Sequence, residues 1–268
     1  LSRSVASTRP VARAVATVLL GAAMLAAAPA GAADSGATCA KSVGRAIAAC
    51  VSSVSNTTRN CYLNTGAACP ANSGKIATAL QRLTNRVVVN CPDAGTLAAA
   101  GYGPLVTTAT LLDRLKAECL GEARTLAART FGGPGGVVLA RATQTQRACL
   151  EKAHVEATAL ISQGLAVETP CARAPLTGGT CNVADVKGQI AIKEVNAATN
   201  IAKKCTDLED LTGSDIATFV SRATGQVHCL TANAHGSTGP LEESCGPRSE
   251  ISVPARGKKK HITLEPET

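Results

Sequence analysis

The chain has no tryptophan, one methionine, two tyrosines and two phenylalanines in 268 residues. Tyr62, Tyr102, Phe131 and Phe219 are too few to build a platform on which bases stack. They also leave an alanine-rich core that buries little area per residue. Long apolar runs are equally scarce. The uncharged, apolar run of residues 14–28 is shorter than a membrane-spanning helix requires, and no later segment is long and apolar enough to span. Closely spaced cysteines are missing too: the tightest spacing is Cys61 to Cys69, and neither C-x-x-C nor C-x-x-C-H occurs. Thiolate metal sites and covalent haem attachment are therefore not expected. Excess charge is lacking as well. The formal charge is +8, but three charges belong to Arg3, Arg9 and Arg13, and a net two to the tail. The tail sets Arg256, Lys258, Lys259 and Lys260 against Glu265 and Glu267, leaving the body at about +3. That is no footprint for nucleic acid.

What is present begins with an export address. The basic residues up to Arg13, the apolar run and the small residues Ala30-Gly31-Ala32-Ala33 read as a secretory signal over 1–33, cleaved before Asp34. Gly36-Ala37-Thr38, directly before Cys39, lacks the leucine expected ahead of a bacterial lipidation cysteine. The expected location is periplasmic or extracellular. In that setting the twelve cysteines, an even number, read as disulfides.

The cysteines fall into two matching series. Cys39, Cys61, Cys69, Cys91 and Cys119 correspond to Cys149, Cys171, Cys181, Cys205 and Cys229, and the first interval is the same in both. This divides the chain into a helical unit over 34–131, a Gly132-Gly133-Pro134-Gly135-Gly136 hinge, a second helical unit over 137–231, and an extension with a basic, disordered tail over 232–268.

Each unit carries three apolar stripes at helical spacing. In the first unit they are Val43, Ile47, Cys50 and Val54; then Ile76, Leu80, Leu83 and Val87; then Leu105, Ala109, Leu112, Cys119 and Leu126. The fold class is all-α: two tandem disulfide-stapled units, each a helical hairpin plus a third helix. Cys39 and Cys61 share one face of a helix but lie about 33 Å apart along it, so each must bond elsewhere. Facing residues of an antiparallel helix pair have constant index sums. Cys61 with Cys69 and Cys39 with Cys91 both sum to 130; Cys171 with Cys181 and Cys149 with Cys205 sum to 352 and 354. The expected scheme is an inner bond at each bend and an outer bond at each open end. For the remaining four, Cys50 with Cys119 and Cys229 with Cys245 is preferred over a Cys119–Cys229 bridge between units.

Stapled helix pairs are analogous to the twin-cysteine hairpins of coiled-coil-helix-coiled-coil-helix proteins and of plant hairpin peptides, at much longer spacing. The segments Cys39-Ala40-Lys41-Ser42-Val43-Gly44-Arg45-Ala46, Gly74-Lys75-Ile76-Ala77 and Ala148-Cys149-Leu150-Glu151-Lys152-Ala153-His154 give the chain a resemblance to uncharacterised exported bacterial Cys-rich helical-repeat proteins. The resemblance extends over 39–229 and implies export and helical repeats, without a chemistry.

Motifs for catalysis are not found. Gly74-Lys75 lacks the upstream glycine and the hydroxyl of a phosphate loop, and reads as a helix start. Gly101-Tyr102-Gly103-Pro104 reads as a turn. G-x-S-x-G and H-E-x-x-H are missing, and Asp113 and Glu118 have no specified partners. Asn56-Thr57-Thr58 matches a glycosylation acceptor but lies within a helical stripe, so no glycan is expected. Of the histidines, His261 falls in the tail, His235 in a Gly/Ser loop, and His228 beside Cys229. His154 follows Glu151 by three residues and reads as half of a surface or half-buried pair. No catalytic residue, metal ligand or cofactor is assigned. The reading is an exported structural or binding module of the envelope or extracellular space, with protein or envelope components as partners. The alternatives are a small-molecule, haem or metal carrier that uses the groove between units or the His154 face, and an enzyme of unrecognised type.

Overall fold

The computed structural model describes residues 30–70, 73–236, 238–245, 251–255 and 258–262; most of the expected signal, residues 1–29, lies outside them. The body is all-α. Its helices are α1 (Ala30–Thr65), α2 (Gly74–Asn90), α3 (Ala94–Ala99), α4 (Thr108–Phe131), α5 (Val137–Arg141), α6 (Gln144–Arg173), α7 (Val183–Ala202), α8 (Leu208–Thr212) and α9 (Ile216–Ala234). In the tail, Ile251–Ala255 and Lys258–Ile262 run antiparallel as a two-stranded ribbon, where the sequence suggests an irregular end. None of the helices among the described residues is long and apolar enough to cross a membrane.

Local chemistry sets where the helices start. Side chains of Ser73, Asp93, Asn182 and Asp215 accept from the first-turn N–H groups of α2, α3, α7 and α9. Thr107 with Thr110 and Thr143 with Gln146 form reciprocal caps on α4 and α6. The third stripe needs correction. Leu105 is 91% exposed because α4 begins only at Thr108, and Ala109 faces solvent. The buried face of α4 is instead Leu111, Leu112, Leu115, Cys119, Ala123 and Leu126.

All twelve cysteines are bonded. Cys39–Cys91, Cys61–Cys69 and Cys50–Cys119 hold α1, α2 and α4 together. Cys149–Cys205 and Cys171–Cys181 clamp α7 to α6, and Cys229–Cys245 ties the extension to α9. No bond links the first three pairs to the last three. Non-covalent packing therefore joins the halves, and the few aromatics are concentrated there. Phe131 stacks on Tyr62 at 4.8 Å and on His154 of α6 at 5.2 Å. The Tyr102 hydroxyl donates to the Ala234 carbonyl at 2.6 Å, and the Arg129 guanidinium lies 5.2 Å from the centre of the Phe219 ring. Helix α1 crosses α6 at Gly44, where a β-carbon would stand 2.5 Å from Thr169 Oγ1; the absence of a side chain allows this approach.

The glycine-rich connector between α4 and α5 is pinned on both sides. Tyr62 Oη donates to Gly133 O at 2.9 Å, and Ala68 N–H donates to Pro134 O at 2.9 Å. Gly136 takes φ +56°, and a β-carbon there would meet Gly66 O at 2.2 Å.

Candidate functional site

Helix α6 carries two chemically distinct faces near its C-terminus. Residues Ala166, Thr169, Pro170 and Arg173 face one way; Glu168 points to the far side. The first face closes a cleft of about 690 Å³ against α1 and α2. Lys41 and Arg45 of α1, Arg86 of α2 and Arg173 of α6 line it, and no carboxylate does. Lys41, Arg45 and Arg86 are exposed, and Arg173 is half-buried. Arg173 is oriented by its Nε–H, which donates to Ala37 O at 3.0 Å. Burial, and secondarily the nearby Arg45 charge, lower its pKa. Like charges held together without a counter-charge form a field that favours an anion. Proline at position 170 has no N–H to donate to the Ala166 carbonyl.

The opposite face packs on α9. Glu168 is 1% exposed, and its two carboxylate oxygens are divided between residues one helical turn apart. Oε1 lies 2.8 Å from His228 Nδ1, and Oε2 accepts from the Thr231 hydroxyl. The extension brings Glu243 Oε2 to 2.9 Å from the same His228 Nδ1. Glu243 N–H donates to Thr238 Oγ1, and the Cys229–Cys245 bond holds this segment against α9. The pKa of His228 is raised, first by the hydrogen bond to Glu168, against the opposing effect of burial, and further by the negative field of Glu168, Glu243 and Glu194. That of Glu243 is raised by burial, with repulsion from Glu168 adding to it and attraction to His228 opposing it. These three donor atoms could hold a cation: they lie within 4.8 Å of one another. Glu118, Glu122 and Cys229 also converge, but the Cys229 sulfur is bonded to Cys245 and supplies no thiolate.

His154 and Glu151 do not form the expected pair. Three residues on a helix leave them about 60° apart, enough for the core boundary to pass between them. His154 is fully buried against Phe131, whereas Glu151 stays at the surface with its Oε1 4.0 Å from Arg59 Nε. The His154 Nε2 atom has no hydrogen-bond partner. Burial, with the Arg59 and Arg129 charges adding, pushes its pKa down to about 3 from 6.5. His235 at the end of α9 is also buried, and desolvation plus Arg173 push it down to about 4. Between these values and 6.5 the unfolded chain binds protons that the folded chain does not, so acid favours unfolding. The urea midpoint is expected to fall as pH drops from about 6.5 toward 3. His154→Phe, measured beside the wild type, should flatten that slope; an unchanged slope would show that His154 is not the source.

The other motifs have structural roles. Gly74-Lys75 opens α2 behind the Ser73 cap, Gly101-Tyr102-Gly103-Pro104 is a turn preceding α4, and Asn56 is inside α1. Asp113 is exposed on α4, and His261 pairs in register with Ser252 in the ribbon. Sequence reasoning singled out neither the basic cleft nor Glu168 and Glu243, and it noted His228 only as a neighbour of Cys229. One signal was available: Glu168, His228 and Glu243 each stand within three residues of a bonded cysteine.

No family model, no curated protein and no solved structure matches this chain. The functional reading therefore rests on the geometry.

Proposed function

We propose that the protein is an exported, non-enzymatic binding module, built from two copies of one stapled helical unit, that holds a phosphate- or carboxylate-bearing ligand. The observation that carries this reading is the cleft lined by Lys41, Arg45, Arg86 and Arg173 with no carboxylate in its lining. Planar guanidinium groups bind such anions bidentately, and Arg173 is already oriented by its bond to Ala37. Six disulfides support an oxidising compartment, periplasmic or extracellular. Support for duplication comes from the order of elements. A helix of 30 residues or more, one of 17–20, one of five or six and one of 19–24 occur in that order as α1 to α4 and again as α6 to α9, with bonds at the same two places in each hairpin. The same pattern supports membership of the exported Cys-rich helical-repeat group.

Titration calorimetry with inorganic phosphate tests the ligand. Saturable one-to-one binding is expected, weakening as salt is raised. The double variant Arg45→Gln, Arg86→Gln should bind about tenfold or more weakly. Arg82→Gln, on α2 but outside the cleft lining, should match the wild type. Absence of saturation, or equal affinity in the double variant, would remove the reading.

A further inference from the structure

We infer that Glu168, His228 and Glu243 form a binding site for a divalent transition-metal cation, separate from the basic cleft. The argument starts from one hydrogen. His228 Nδ1 can carry a single proton, yet it faces two carboxylate oxygens, Glu168 Oε1 at 2.8 Å and Glu243 Oε2 at 2.9 Å. One N–H cannot satisfy both along good donor lines. Glu194 adds a third negative charge nearby, and Lys187 a positive one. A divalent cation replacing that proton would accept a lone pair from the imidazole and bind both carboxylates at once.

The surroundings are those of a prepared site. Glu168 is held at both oxygens, with Thr231 fixing the one turned away from His228, as ligand carboxylates are commonly oriented. His228 stands on a helix, and Glu243 is covalently held beside it by the bond two residues further on. The side chains of His228 and Glu243 are 31% and 14% exposed, against 1% for Glu168, so the cluster has a buried floor and an open side for ion entry and a bound water. Metal bonds of about 2.0–2.2 Å in a tetrahedral site place ligand atoms about 3.4 Å apart, so each carboxylate oxygen must draw back from His228 Nδ1 by about half an ångström. Partly exposed His228 and Glu243 can supply that movement. One imidazole with two carboxylates suits zinc and its neighbours better than calcium, which prefers six or more oxygens.

The test is calorimetric titration of the oxidised full chain with Zn²⁺, together with the visible absorption of bound Co²⁺. One ion per chain is expected, with Co²⁺ bands of low coordination number and weaker binding of Ca²⁺. His228→Gln and Glu243→Gln should each weaken Zn²⁺ binding at least tenfold, and Thr231→Val, which removes only the support for Glu168, about 10–100-fold. His261→Gln, in the tail, should leave it unchanged. Glu243 lies on the extension outside the core, so its variant reports even if the α9 variants fold poorly. Absence of saturable Zn²⁺ binding below about 100 µM would overturn the assignment, as would binding that survives Glu243→Gln but is lost with His261→Gln.

Discussion

Phe131→Ala is expected to lower the free energy of unfolding by about 3–5 kcal/mol, the upper range for a single core truncation. Phe131 is completely buried at the end of α4, between Tyr62 on one side and His154 on the other. Truncation removes its buried apolar area and two stacking contacts, each worth about 0.5–1.5 kcal/mol where the partner is aromatic. It also leaves a cavity that the neighbours cannot fill. Ala127 and Ala128 are beside it in α4, and Gly132 follows in a left-handed conformation. The loss falls between the halves, where no disulfide limits separation. Phe131→Leu, which keeps most of the volume, should cost distinctly less. Urea unfolding of the three proteins measures both. An alanine variant within about 1 kcal/mol of the wild type would show that the aromatic row does not hold the halves together.

This junction also marks how far the architecture was legible. An antiparallel helix pair keeps index sums constant, so Cys39 with Cys91 and Cys149 with Cys205 could be matched from numbering alone. Apolar stripes repeated over about three turns or more placed α1, α2, α4 and their later counterparts. Helices α3, α5 and α8 span only five or six residues, too few for a period to register. The docking of α1 on α6 depends on one small residue, Gly44, meeting Thr169, and nothing in either stripe announces it. The depth of His154 was ambiguous for a related reason: a 60° difference on a helix decides between core and solvent, and spacing alone does not say where the boundary runs.

Both candidate sites were hidden because they are assembled from distant segments. The cleft draws on α1, α2 and α6, and no short window contains more than two of its cations. A body of about +3 gave no hint that four of them gather. The carboxylate–imidazole cluster joins α6, α9 and the extension. Its components share one feature, since each stands within three residues of a bonded cysteine. A disulfide restrains the backbone on either side of it, which keeps residues flanking bonded cysteines near one another.

Removing the outer staple of the second hairpin by Cys149→Ala with Cys205→Ala is expected to cost about 4 kcal/mol, and removing the inner one by Cys171→Ala with Cys181→Ala about 2.7 kcal/mol. The two pairs close loops of 56 and 10 residues, and loop-closure entropy grows with the logarithm of that length. Alanine is the appropriate replacement because Cys149 and Cys205 are buried and serine would leave a hydroxyl in the core. The difference should appear in the unfolded state. The variant lacking the outer bond should show a larger dependence of unfolding free energy on urea, since its denatured chain expands further. Helix α7 gives this test its force: only Val186, Ile190, Ala197 and Ile201 of its twenty residues are buried, while Ile192 and Val195 are more than 60% exposed. So thin a seam offers little hydrophobic stabilisation against the entropy of the hairpin, and the bond at its open end must supply what packing does not. Equal losses for the two staples, with equal urea dependence, would mean that native-state packing around the sulfurs, rather than restriction of the unfolded chain, is what they contribute.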